Sequence, residues 1–291
     1  MACHHRRRGH RMPLPPELKK PVPARAIAVA PDTRAGMHEA MCRAVIDGGG
    51  TLVDITVAEG LIWSDPAHPE AFPDLVAKAS RLEWIQLPYA GIEPFAHHLD
   101  ERWRWTCGKG VYAPAVAETV LALMLAGQKN LHGYSRASGW SRPVGRILGG
   151  SRVTILGGGG ITEHLLPLLV PFGCDITVVR RSSEPFEGAD RTVTTSRLHE
   201  LLPRTDVLVL ALALTAETTG IIAAPELAAL PDHAWLVNVA RGGHVITDDL
   251  VTALTSGSIG GAALDVTDPE PLPDGHPLWS APNCLITPHI A

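Results

Sequence analysis

Short apolar runs, closed by glycine, proline or polar clusters, recur along this chain, and stretches of helical spacing separate them. Residues 25–30 (Arg-Ala-Ile-Ala-Val-Ala) form the first run and end at Pro31, which predicts a buried strand. A helical stretch to Ile46 and a Gly48-Gly49-Gly50 turn follow, then strands over 51–55 and 60–63. Residues 73–80 are helical in pattern and 82–87 read as a fourth strand. Strands that alternate with helices predict a parallel sheet covered on both faces.

Residues 115–131 are helical and apolar nearly all round, so this helix is expected to be buried between elements, at a domain or subunit interface. A second alternation begins near Ser151, with strands over 152–156, 174–181, 206–214, 235–239 and 260–266. The expected fold class is therefore α/β, with two Rossmann-like doubly wound parallel-sheet domains and an active site in the cleft between them.

Composition narrows the function. The 291 residues suit two domains of ordinary size, and 45% apolar content is enough for two cores. Net charge is −5 and the body of the chain has no basic stripe, so nucleic acid is not an expected partner. No apolar run reaches the ~18 residues of a membrane helix, so no membrane partner is expected. Five cysteines, odd in number and without a C-x-x-C pair, fit a reducing, cytoplasmic setting, and no metal site is expected. Residues 1–24, with His4, His5 and His10 among arginines and then five prolines, read as a disordered extension.

The strongest local signal is the strand 152–156 running into Gly157-Gly158-Gly159-Gly160-Ile161-Thr162. A glycine turn between strand and helix brings backbone N–H groups and the helix N-terminus up to a pyrophosphate, so these six positions are candidate cofactor contacts. Thr162 stands where a third glycine lets helix and strand pack closely. Either the helix sits farther out or the hydroxyl has a partner. At the end of the next strand, where an acid would hold the ribose of NAD, stand Arg180, Arg181 and Ser182. A guanidinium grips a 2′-phosphate bidentately, so the expected cofactor is NADP, with NAD possible.

Three further strand ends carry polar groups: Val239-Ala240-Arg241-Gly242, then Asp265 with Glu270-Pro271-Leu272, then Thr287-Pro288-His289. With Leu212 to Thr218 and His276-Pro277-Leu278-Trp279, these segments closely resemble the D-isomer-specific 2-hydroxyacid dehydrogenases, over about residues 25 to 291.

That resemblance implies residues 25–112 as a flavodoxin-like substrate-binding domain and 113–284 as the NAD(P)-binding domain. Residues 285–291 are expected to be a return segment to the first domain, shortened because the family's next helix does not follow. It implies that Arg241 holds the substrate carboxylate and polarises the 2-keto oxygen. His289 is then the general acid or base, and Glu270 orients it. Leu212, Thr218, Val239, Ala240 and Asp265 are implied on the cofactor side. Tyr89, Ala90 and Gly91 match the substrate loop, with Tyr89 adding a phenol. Trp140 and Trp279 are expected to pack. The implied activity is hydride transfer between nicotinamide and a small 2-keto or 2-hydroxy acid, as in glyoxylate/hydroxypyruvate reductases, by a homodimer. A non-catalytic dinucleotide-binding regulator and a phosphoglycerate dehydrogenase are the alternatives.

Overall fold

The computed structural model describes residues 25–291, so the expected extension 1–24 lies outside the described residues. The chain divides into two compact units between Lys109 and Gly110. The sequence placed that boundary three residues later. Gly110 goes with the second unit because its carbonyl accepts the Ala113 N–H that opens the next helix.

The first unit carries β1 (Ala26–Ala30), α1 (Ala35–Asp47), β2 (Thr51–Leu52), β3 (Gly60–Trp63), α2 (Phe72–Val76), β4 (Trp84–Gln86) and β5 (Arg104–Thr106). All neighbours are parallel in the order β2-β1-β3-β4-β5, and Leu61 lies between Ala28 and Ile85 in register. Leu61, Trp63, Phe72, Ile85 and Phe95 form its core. The strand expected over 51–55 stops at Leu52, because Asp54 accepts the Thr56 N–H and opens a 3₁₀ turn that buries Ile55. β5 went unseen: three residues with only a half-buried Trp105 make no apolar run.

The second unit opens with α3 (Ala113–Gln128) and α4 (Leu131–Tyr134). Then come β6 (Arg152–Leu156), α5 (Gly160–Leu169), β7 (Asp175–Arg180), β8 (Arg191–Thr194) and α6 (Leu198–Leu201). The rest is β9 (Val207–Leu210), α7 (Ala224–Ala229), β10 (Trp235–Asn238), α8 (Thr247–Ser256), β11 (Gly261–Leu264) and β12 (Cys284–Ile286). The seven strands are parallel in the order β12-β11-β10-β9-β6-β7-β8. The order reverses between β6 and β9, the switch point at which ligands bind in such sheets.

Burial on both faces explains why these strands are apolar without alternation. Leu208, Leu210 and Leu236 feed one core, whereas Val207, Val209 and Val237 feed the other. In α3 the burial within the single chain is one-sided. Val116, Val120, Leu123 and Met124 are buried, but Ala115, Glu118 and Ala122 are exposed, so one face alone packs inside the unit. The return segment differs from expectation: Leu285 and Ile286 pair with Ala263 and Leu264 as the edge strand, so 285–291 belong to the second unit. Within the single chain Trp140 is fully exposed and Trp279 half-exposed.

Candidate active site

The glycine turn leaves β6 at its carboxyl end, beside the switch point. Gly157 has φ +115°, and a Cβ there would overlap the Ala211 carbonyl after β9, so only glycine lets the two loops approach. A Cβ at Gly159, by contrast, would meet open space. The first N–H groups of α5, from Gly160, Ile161 and Thr162, have no partner within the helix and lie at this opening. Such a cradle fits the pyrophosphate of a dinucleotide. Thr162 is fully buried, and its hydroxyl donates to the Gly157 carbonyl at 2.7 Å. The hydroxyl has therefore found a partner and braces the turn from beneath.

Gly158 sits against the Arg180 side chain and the Phe186 ring, and the guanidinium lies 5.8 Å from that ring centroid. Arg180 at the end of β7 is thus half-buried beside the turn. Arg181 is exposed, and its charge helps to hold the Glu217 carboxyl below the usual range, after the hydrogen bond from Thr215 and the Glu217 backbone. Ser182 Oγ accepts the Glu184 N–H at 3.1 Å. Leu212 and Thr218 are half-buried on the loop after β9, where the Thr218 hydroxyl donates to the Ala213 carbonyl at 2.8 Å.

The arginine turn follows β10. Val239 and Ala240 are buried. Asn238, also buried, accepts the Ala240 N–H at 3.0 Å and donates from Nδ2 to the Arg241 carbonyl at 2.9 Å. These bonds fix the backbone on both sides of Arg241, whose guanidinium donates to the Ala240 carbonyl at 2.7 Å. A side chain at Gly242 would overlap the Thr267 carbonyl beyond β11, so this turn and the next are in direct contact.

The histidine turn follows β12. Asp265, buried at the end of β11, accepts from the Thr287 hydroxyl at 2.6 Å and from the Ile290 and Ala291 N–H groups at 3.0 and 2.9 Å. Its carbonyl accepts the His289 N–H at 2.9 Å. His289 is thereby held at φ +50°, a left-handed conformation that few residues adopt. Its Nδ1 lies 2.5 Å from Glu270 Oε1, with both side chains open to solvent. The Thr-Pro-His run is thus a positioning device: Thr287 ties to the carboxylate whose backbone carbonyl holds the histidine.

Arg241, Glu270 and His289 therefore follow β10, β11 and β12, which are consecutive in the sheet. Tyr89, Ala90 and Gly91 belong to the first unit, after β4. Arg34 Nη1 donates to the Tyr89 hydroxyl at 3.3 Å, and the Tyr89 carbonyl accepts the Gly108 N–H at 3.0 Å. Sequence reasoning missed Asn238 and the buried His244, and it quoted Thr287 in the Thr-Pro-His run without giving it a role. For Asn238 and Thr287 the signal was a polar residue inside or just after an apolar run, which is costly unless its hydrogen bonds are made, whereas His244, behind Gly242 and Gly243, follows no such run.

Fold and site together define a dinucleotide-binding α/β protein with an arginine and a carboxylate-bound histidine on neighbouring strand ends. Residues 120–291 match the family described as D-isomer specific 2-hydroxyacid dehydrogenase, NAD binding domain. An uncharacterized protein in the proB 3′ region of Corynebacterium melassecola is 43% identical over 259 residues, 85% of this chain and 83% of that one. Glyoxylate/hydroxypyruvate reductase A of Klebsiella pneumoniae (strain 342) is 42% identical over 139 residues, 48% of this chain, and the match spans only 45% of that relative. Among solved structures, a D-isomer specific 2-hydroxyacid dehydrogenase from Xanthobacter autotrophicus Py2, in complex with NADPH and MES, superposes with a TM-score of 0.78. It is 26% identical, and the match covers 92% of this chain and 88% of that one. This chain belongs to the D-isomer specific 2-hydroxyacid dehydrogenase family, whose members are NAD(P)-dependent oxidoreductases.

Proposed function

We propose that this chain reduces a small 2-keto acid, glyoxylate or hydroxypyruvate, with NADPH preferred over NADH. The observation that carries the chemistry is the His289–Glu270 pair. With Nδ1 engaged by the carboxylate, Nε2 is the atom that delivers a proton to the keto oxygen and recovers it in the reverse direction. The reduced nicotinamide, when bound, supplies the hydride to the 2-carbon. Arg241 binds the substrate carboxylate and stabilises the developing alkoxide, a task for a fixed planar cation. Asp265 holds the histidine turn in place. The backbone N–H groups of Ala90 and Gly91 are assigned to the carboxylate, with the Tyr89 phenol beside them.

The reductase relatives support the substrate class, and the NADPH named with the Xanthobacter structure supports the cofactor. Within this chain, Arg180 beside the glycine turn and the lack of a carboxylate over positions 180–183 support NADPH. We assign the working form as a homodimer.

The test is the absorbance of reduced nicotinamide in the presence of glyoxylate, hydroxypyruvate, pyruvate and longer 2-keto acids. NADPH is expected to be consumed fastest with the two smallest polar acids. His289→Asn is expected to lower turnover by about 10²–10⁴-fold. Dinucleotide binding without turnover on any acid would instead mark a binding protein.

A further inference from the structure

His244 has no role in the chemistry above, yet no part of its side chain reaches solvent. Its ring is clamped between two backbone carbonyls: Nδ1 lies 2.9 Å from Thr218 O and Nε2 lies 3.2 Å from Leu212 O. These carbonyls bracket the loop after β9. Backbone bonds run alongside, from the Gly220 N–H to Gly243 O at 2.8 Å and from the Ile222 N–H to His244 O at 3.0 Å. One end of the clamped loop abuts the glycine turn, because Ala211 is the residue that Gly157 must approach so closely. On its other side His244 belongs to the arginine turn, and its N–H donates to Arg241 O at 3.3 Å.

We infer that His244 is a positioning residue for dinucleotide binding, one that locks the loop from Leu212 to Thr218 between the glycine turn and the arginine turn. This rests on the proposed dinucleotide-dependent function. The physical reason is that a loop following a strand has no ladder of its own. Two carbonyls set against the two nitrogens of one buried ring, at least one of them held by an N–H···O bond, restrain the loop before the cofactor arrives, so binding does not have to order it.

The test compares His244→Phe, which keeps a ring and loses both nitrogens, with His244→Asn, which keeps an amide too short to reach both carbonyls. NADPH affinity is read by fluorescence titration, and hydrogen exchange of the amides over 212–220 is read without nucleotide. His244→Phe is expected to weaken NADPH binding about tenfold or more, the scale of one lost buried hydrogen bond, and to speed exchange over 212–220. His244→Asn is expected to fall between it and the unsubstituted protein, and it decides the matter if the Phe variant does not fold. An affinity unchanged within about twofold in a folded variant whose melting temperature falls would show mere packing and overturn the assignment. Failure of the unsubstituted protein to bind either nucleotide would sink the dinucleotide reading itself. The exchange measurement would then decide alone whether His244 pins the loop.

Discussion

At the scale of the residue, the proposed preference for NADPH rests on one side chain. Arg180 ends β7 with its stem against the glycine turn and Phe186, so its guanidinium is constrained rather than freely solvated. Charge-assisted hydrogen bonds to a phosphate contribute about 1.5–3 kcal/mol, or roughly ten- to a hundredfold in affinity. Arg180→Asp is therefore expected to shift the NADPH/NADH ratio of kcat/KM toward NADH by that factor. An unmoved ratio in the variant would place the 2′-phosphate elsewhere. Cys284 behaves in the opposite way, as a residue withdrawn from chemistry: burial pushes its thiol up to about 12, against a smaller opposing effect of Arg136. It is a packing group at the start of β12 and not a nucleophile.

At the scale of the element, the seven-stranded sheet is tied at its amino end by a polar knot. Asp206, just before β9, accepts from Arg152 Nε at 3.0 Å, from Arg152 Nη2 at 2.8 Å and from the Arg152 N–H at 2.8 Å, while His233 Nε2 lies 2.8 Å away. Burial by itself would raise the Asp206 carboxyl, but the Arg152 and His233 bonds outweigh it and hold it well below the usual carboxylate range. A carboxyl depressed on folding contributes stability above its unfolded value near 4, and that contribution is lost as pH falls through the acid range. Asp206→Asn is expected to lower unfolding free energy by about 2 kcal/mol at pH 7 and to cost clearly less only well below pH 3, near pH 2, as the native carboxyl itself begins to take up its proton. Urea unfolding at the two pH values checks this, and an equal loss at both would remove the charge from the explanation.

At the scale of the whole molecule, the segment between α3 and β6 is the least covered apolar part of the second unit. Trp140 is fully exposed, and Leu131, Val144 and Ile147 are more than half exposed. Apolar side chains gathered on one exposed segment mark a surface for a partner, and the proposed homodimer supplies one. Trp140→Asp is expected to convert a dimer into a monomer in light scattering after gel filtration. A monomeric unsubstituted protein would refute this role for the segment.

The alternation of apolar runs and helical stretches was legible because strands buried on both faces cannot carry polar residues, which made β1, β3, β6, β9, β10 and β11 stand out. The glycine turn, Arg241, Glu270 and His289 were legible for a related reason: each follows such a strand, where a parallel sheet presents its loops. β5 and β8 were not, since short edge strands with mixed exposure carry little periodic signal. Along the chain, sequence by itself determined which apolar, doubly covered segments are strands, which turn needs glycine and which side chains carry charge. The tertiary structure decided the rest. It committed the Asp265 carboxylate to Thr287 and the final turn, gave Thr162 its partner at Gly157 O, and set His244 between Leu212 and Thr218. In each case a hydrogen bond joins positions whose separation along the chain carries no pattern, so only the folded arrangement selects the partner.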